Sequence, residues 1–487
     1  MSVIQYEPVM GLEVHAQLLT QSKAFCTCST KYGAMPNTQT CPVCLALPGA
    51  LPVLNKRAVD FAIRMGLATH CVIAEESIFA RKNYFYPDLT KGYQISQFDK
   101  PLCENGWVDI EVGEAVKRIR IKRIHMEEDA GKSIHDDALT GGEKTFVDLN
   151  RCGTPLIEIV TEADFRTPAE VVAYLTKIRQ TVQYLEICDG NMEEGSLRCD
   201  VNISMRPVGQ EKFGTKTEIK NMNSFKAVER ALNYEMARQT DILQNGGSVS
   251  QQTLLWDDNQ GVSRALRSKE EAHDYRYFPE PDLVPLRVTK AWVDEIAGSL
   301  SELPGARRDR FVQQYGIPKY DADVLTLSKS LANYFEETLK HVSDGKLASN
   351  FIMGEVMALL KERKQDADAF IISPANLGKL LRMVSDNTIS GKIAKIVFEE
   401  MAKDGADAEA IVKTKGLLQI TDRGEIEKII DRMFELNQKQ LQEYLGGKEA
   451  VFGHFVGQVM KLSQGRTNPA MTNEILKQKL AEKKQNQ

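Results

Sequence analysis

From Leu197 to Met205 apolar and polar side chains alternate without a break, following a turn at Gly195-Ser196. Only a strand with one buried face accommodates that period. The outward row holds Arg198, Asp200, Asn202 and Ser204, an arginine, an acid, an amide and a hydroxyl in register. Such a row suits oxygen-rich ligands and metal, although a solvated strand face can carry it too. Similar runs recur at Val9–His15, Val116–His125, Phe146–Leu149, Leu156–Val160 and Thr215–Lys220, interleaved with helical periods at Asn55–Thr69, Pro168–Leu185 and Ser224–Gln244. The strands are not regularly separated by helices, so the pattern predicts an α+β domain with a mostly antiparallel sheet.

This pattern ends at Tyr277–Pro285, which carries Pro279, Pro281 and Pro285. Beyond it the apolar period is helical: Lys290–Ser299, Leu303–Tyr315, Tyr320–Leu327, Ser328–His341, Lys346–Lys364, Ser373–Asp386, Ser390–Lys403, Asp407–Lys415 and Glu425–Asn437. Ser373-Pro374 and Ser390 are good helix starts. The last 80 or so residues read as a small separate helical module entered through Thr414–Leu417, with a charged, frayed end at Lys479–Gln487. A chain of 487 residues has room for two to four domains. No apolar run approaches the roughly 18 residues of a membrane span, and the start lacks a signal peptide's basic and apolar regions. Nine cysteines in so long a chain point to a reducing, cytoplasmic setting and not to a disulfide framework. The net charge of −5 argues only weakly against nucleic acid, since footprints are local.

Cys26 and Cys28 are followed by Cys41 and Cys44. Two close thiol pairs can close a tetrahedral Zn²⁺ site that ties a loop at both ends and leaves no position open for chemistry. The other cysteines, Cys71, Cys103, Cys152, Cys188 and Cys199, stand singly and read as core fillers.

The acids stand in Gly11–His15, with Glu13 and His15 on one strand face, in Glu127-Glu128-Asp129 after a basic strand, in Leu156–Val160 around Glu158, and in Lys216–Asn221 around Glu218. One such acid is ordinarily solvated or ion-paired. Several on separate strands suggest convergence on one concavity, with hard ligands appropriate to Mg²⁺ and a nucleotide triphosphate. Ala130-Gly131-Lys132-Ser133 imitates the end of a P-loop, but Met126 stands where the leading glycine belongs, and GxGxxG is absent. Phosphate charge falls instead to cations on the sheet. Lys117–Arg123 has five basic residues in seven, and Arg81–Pro87 interleaves cations with aromatics. No GxSxG elbow or serine-rich amidase stretch supplies a nucleophile, so any acyl group activated here is attacked by something made elsewhere.

The chain closely resembles the family of B subunits of bacterial aspartyl/glutamyl-tRNA amidotransferases (GatB). The likeness is carried by Gly11–His15, Arg81–Pro87, Tyr93–Gln97, His125–Ser133, Leu149–Arg151, Gly153–Val160, Met192–Ser204, Lys220–Ser224 and Asp274–Pro281. It implies a catalytic cradle over residues 1–293, a helical domain over 294–406 and a YqeY-like tRNA-binding module over 407–487. It implies a heterotrimer in which an amidase (GatA) releases ammonia from glutamine and a small third protein (GatC) braces the assembly. The GatB protein then uses ATP and Mg²⁺ to phosphorylate the side-chain carboxylate of Glu misacylated on tRNA(Gln), or Asp on tRNA(Asn), and ammonia displaces the phosphate. By position in the motifs, Glu13, His15, Glu128 and Glu218 are the expected Mg²⁺ and catalytic core. Glu158, Asp200 and Asn202 are expected as ligands or orienters, and Lys82, Arg198 and Lys220 as cations for the transferring group or substrate. The four cysteines belong to the zinc-bearing version of the family. Two other classes stay open: a non-catalytic tRNA scaffold, and an ATP-dependent ligase acting on a small molecule.

Overall fold

The computed structural model describes residues 4–134, 144–266 and 275–485. Asp274 of the stretch 274–281 and the last two residues of the charged end lie outside them. The chain divides into two compact units, one running through Leu303 and one from Pro304.

The first unit is built on a nine-stranded sheet. In spatial order its strands are Val262–Ala265, Gln252–Asp257, Thr217–Lys220, Leu197–Pro207, Tyr6–Gln17, Pro155–Thr161, Ala115–Glu128, Cys103–Val112 and Val72–Ile73. All neighbours are antiparallel except Thr217–Lys220 with Gln252–Asp257, which run parallel. A helix, Phe225–Gln244, joins that pair, and such a crossover returns the chain in its original direction. The alternation of the sequence sorts the sheet into two faces. Leu12, Val14, Ala16, Ile157, Ile159, Cys199, Val201, Ile203 and Ile219 share one core with Phe61, Ile63, Val171, Leu175, Ile178, Val228 and Leu232 of the helices Lys56–Ala68, Pro168–Tyr184 and Phe225–Gln244. Each buried aliphatic side chain contributes about 1.5–3 kcal/mol. Asn55, Thr167 and Ser224 cap these helices by accepting first-turn N–H groups, each for about 1 kcal/mol.

One irregularity decides which acids face outward. Pairing of Ala115–Glu128 with Pro155–Thr161 slips by a residue between Val160, opposite Arg123, and Thr161, opposite Ile121. This bulge at Lys122 exchanges the faces of the strand. Ile119 and Ile121 are buried before it, Ile124 and Met126 after it. His125 and Glu127 therefore come to the polar face, and Glu128 does not.

The helix Lys290–Gly298 belongs to this unit: Trp292 donates to Asp60 at 2.8 Å and Ile296 enters the core. The expected division at 293/294 falls inside that helix. In the second unit one core runs from Phe311 to Val412 and another from Ile426 to Leu480. The helix Ala408–Thr414 packs into the first of these, so the expected start of the end module at 407 lies ahead of the observed change of core. Ser373 and Ser390 cap their helices as the sequence predicts. The run 346–364 is interrupted by a π-helical turn at Ile352–Val356 and ends on left-handed Lys364. Among the described residues no helix is long and apolar enough to cross a membrane.

Candidate functional site

The polar face of the sheet gathers the acids. Register places His15 between Arg198 and Glu158, and Glu158 between His15 and His125, in one row across four strands. The next rows set Glu13 opposite Asp200, and Asn202 between Gly11 and Glu218. Two groups result. The donor atoms of His15, Glu127 and Glu158 lie within 4.8 Å of one another, as do those of Glu13, Asp200 and Glu218.

Ion-pair contacts and hydrogen bonds hold the carboxylates in place. His125 Nε2 lies 3.1 Å from Glu158, and His15 Nε2 lies 3.5 Å from Glu158 and 3.6 Å from Glu127. Asn202 donates to Glu13 at 3.1 Å and Thr253 to Glu218 at 2.9 Å. Lys220 bridges Asp200 at 2.5 Å and Glu218 at 3.0 Å. Burial raises the Glu13 carboxyl above its usual range, and Glu158, Glu218 and Asp200 add to this against the opposing Lys220. The His15 imidazolium is disfavoured by burial, yet the Glu158 hydrogen bond and the Glu158 and Glu127 charges lift it to about 9. Lys82 resists the same desolvation because Glu127, Tyr277 and Glu158 hold its charge, and its ammonium lies over Tyr275, 4.9 Å from the ring centre. So much negative charge on one half-buried surface is the electrostatic signature of a cation site. Its carboxylate-rich donors fit a hard divalent ion such as Mg²⁺.

Of the expected core, the structure brings Glu13, His15 and Glu218 together, with Glu158, Asp200, Asn202, Lys82, Arg198 and Lys220 around them. Glu128 is not with them. It points to the opposite side, where Lys91 holds both its oxygens at 2.6 and 2.5 Å and the Ile95 N–H donates at 3.0 Å. Glu127 takes the position anticipated for it. Sequence reasoning grouped Asp129 with Glu127 and Glu128 without giving it a role, and passed over His125. The available signal was the spacing of Ile119, Ile121, Ile124 and Met126, whose step of three marks the bulge and reverses which acid faces out.

Asp129 forms the rim. Gln17 donates to it at 2.8 Å and Arg198 at 3.0 Å, with Arg151 at 3.6 Å. Burial works against its charge, but Arg198, Arg151 and Gln17 prevail and hold its carboxyl below the usual carboxylate range. A depressed folded value means that this stabilisation is complete above the unfolded value of about 3.9 and is lost as pH falls through the folded one. Asp129→Asn should therefore lower stability at pH 7, with the gap to the native chain closing below about pH 4 in urea titrations. A gap that is constant with pH would contradict this.

The four expected metal-binding thiols also converge: the Sγ atoms of Cys26, Cys28, Cys41 and Cys44 lie within 4.8 Å of one another, and Cys41 and Cys44 are 3.9 Å apart. Zn–S bonds of about 2.3 Å at tetrahedral angles require a separation of roughly 3.8 Å. The remaining five cysteines are buried.

The family described as "GatB/GatE catalytic domain" matches residues 8–294, and that described as "GatB domain" matches residues 333–480. Relatives from Trichlorobacter lovleyi, Geobacter sulfurreducens and Chlorobaculum tepidum are each 56% identical, over 98% of this chain and 100% of their own length. All three are named as the B subunit of the aspartyl/glutamyl-tRNA(Asn/Gln) amidotransferase.

Proposed function

We propose a reaction for this chain from one premise: it belongs to the GatB family of aspartyl/glutamyl-tRNA(Asn/Gln) amidotransferase B subunits. It takes part in ATP-dependent conversion of Glu-tRNA(Gln) or Asp-tRNA(Asn) to the amide, a glutamine-dependent carbon–nitrogen ligation. The polar sheet face activates the aminoacyl carboxylate by phosphorylation. The GatA amidase supplies ammonia and the small GatC protein completes the complex. The observation that carries this reading is the convergence of His15, Glu127 and Glu158 with Glu13, Asp200 and Glu218 on one face, beside cations free of any nucleophile motif.

The donor set fits Mg²⁺, held by His15, Glu127 and Glu158 on one side and Glu13, Asp200 and Glu218 on the other. An ion held by these residues would supply positive charge to offset that of the phosphates. His125 fixes the rotamer of Glu158, and Asn202 and Thr253 do the same for Glu13 and Glu218. Lys82, Arg198 and Lys220 supply positive charge for the transferring phosphoryl group or the substrate carboxylate. Cys26, Cys28, Cys41 and Cys44 hold structural zinc. The helices of residues 407–487 bind tRNA, with five basic residues against two acids from Arg466 onward.

Crowded carboxylates are relieved by the ion they bind, so Mg²⁺ should stabilise the chain. At one hundred times its Kd the gain is about 2.7 kcal/mol, which raises Tm by roughly 4 °C for a unit that runs through Leu303. Scanning calorimetry with and without Mg²⁺ checks this, with Glu13→Gln expected to abolish the shift. An identical Tm in both conditions would count against the cation site.

A further inference from the structure

Lys23 has no exposed surface, and none of its three ammonium contacts is a carboxylate. Nζ lies 2.8 Å from Gln39 O, 3.4 Å from Leu149 O and 3.6 Å from Cys44 Sγ. Cys44 Sγ also accepts the Cys41 N–H at 3.2 Å. An ammonium has three N–H donors and no acceptor, whereas a neutral amine has two donors and a lone pair. Three acceptors around one nitrogen therefore specify the cation. A buried cation needs a counter-charge, and the thiol cluster is the group in contact that can supply one. Four thiolates around Zn²⁺ leave a net charge of 2−, which a neighbouring ammonium halves.

We infer that Lys23 is the built-in counter-cation of the Cys26–Cys28–Cys41–Cys44 metal centre, tuning its affinity through an N–H···S bond to Cys44 and tying the metal loop to the turn at Leu149. This rests on the zinc reading above. It also gives the loop a route to the site rim. Ala24 N–H donates to Gly153 O and Gly153 N–H to Asp129 O, at 2.8 and 2.9 Å. In the same turn Arg151 donates to Ala130 O at 3.0 Å. Gly153, at φ +83°, lies against both groups: a Cβ there would sit in ordinary van der Waals contact with Lys23 Cδ at 3.5 Å and Cys44 Cβ at 3.6 Å.

The test uses the full-length chain, with zinc affinity read by competition against a chromophoric chelator and the thiolate environment read from Co²⁺-substituted spectra. Lys23→Met and Lys23→Gln should each release zinc about 10–100-fold more readily. Their sulfur-to-cobalt charge-transfer bands should move to longer wavelength, because removing the cation raises the sulfur lone pairs. A loop that was merely loosened would lose affinity without that shift. A neutral variant with native affinity or unshifted bands overturns the inference. If neither variant folds, ¹¹³Cd-loaded native chain decides: coupling from the metal to one lysine ammonium proton supports it, and its absence overturns it. A native chain that retains no stoichiometric zinc instead defeats the zinc reading itself.

Discussion

Replacing Glu127 by Gln should reduce ATP-dependent amide formation by the assembled complex about 10³-fold, corresponding to roughly 4 kcal/mol of lost transition-state stabilisation. The exchange keeps shape and removes one charge from a residue that is 4% exposed and sits among His15, His125 and Glu158. Binding of the misacylated tRNA, proposed above for the helices beyond residue 407, should persist. Steady-state kinetics should thus show loss in kcat with little change in tRNA affinity. A Glu127→Gln complex that still forms amide at the native rate, with Mg²⁺ dependence intact, would remove this carboxylate from the mechanism. The same result would favour the scaffold alternative raised by the sequence alone.

The neighbouring position should behave otherwise. Lys91 and Glu128 form a buried pair whose side chains are 8% and 2% exposed. Lys91→Met leaves the Glu128 carboxylate without its cation in an interior site, an error worth about 3–5 kcal/mol. Thermal unfolding should fall by roughly 5–8 °C. Pairing that change with Glu128→Leu should recover part of the loss, because a matched apolar pair needs no desolvation of charge, although the Ile95 N–H that Glu128 accepts is then left without its acceptor. If the single Lys91→Met variant keeps native stability, Glu128 is not anchored as described. If the double variant folds but loses amide formation as completely as Glu127→Gln, Glu128 has a direct role in the chemistry.

The contrast between these two glutamates also measures what the sequence could disclose. Alternation over Gly11–Gln17 and Leu197–Ile203 fixes the faces of Glu13, His15, Asp200 and Asn202, and Ile157 and Ile159 on either side of Glu158 turn it to the same polar face. Thr217–Lys220 is short but has Ile219 as its inward anchor, which turns Glu218 and Lys220 outward. The Ala115–Glu128 strand defeats this reasoning. Its bulge sits beside two consecutive glutamates, so one extra residue decides which of them meets the histidines. The strand Cys103–Val112 was harder still, since left-handed Asn105 breaks its alternation between Cys103 and Gly106. The helices from Pro304 to Leu436 were legible from caps and apolar period. Those at Gln438–Leu445, Phe452–Leu462 and Pro469–Gln485 were not individually legible, and the last of these carries the charged stretch expected to fray, with Leu480 buried in the core. Nor was the boundary at 293/294, because nothing in Lys290–Gly298 announces that Trp292 will bond to Asp60, more than two hundred residues earlier.

The central claim is that this sheet face passes a phosphoryl group from ATP to the aminoacyl carboxylate. The most direct measurement is transfer of γ-³²P from ATP to Glu-tRNA(Gln) by a complex whose amidase has been inactivated, so that no ammonia consumes the intermediate. Labelled, acid-labile aminoacyl phosphate should accumulate with the native chain and Mg²⁺, and be absent with Glu127→Gln. Normal tRNA binding with no labelled intermediate from the native chain would contradict the account.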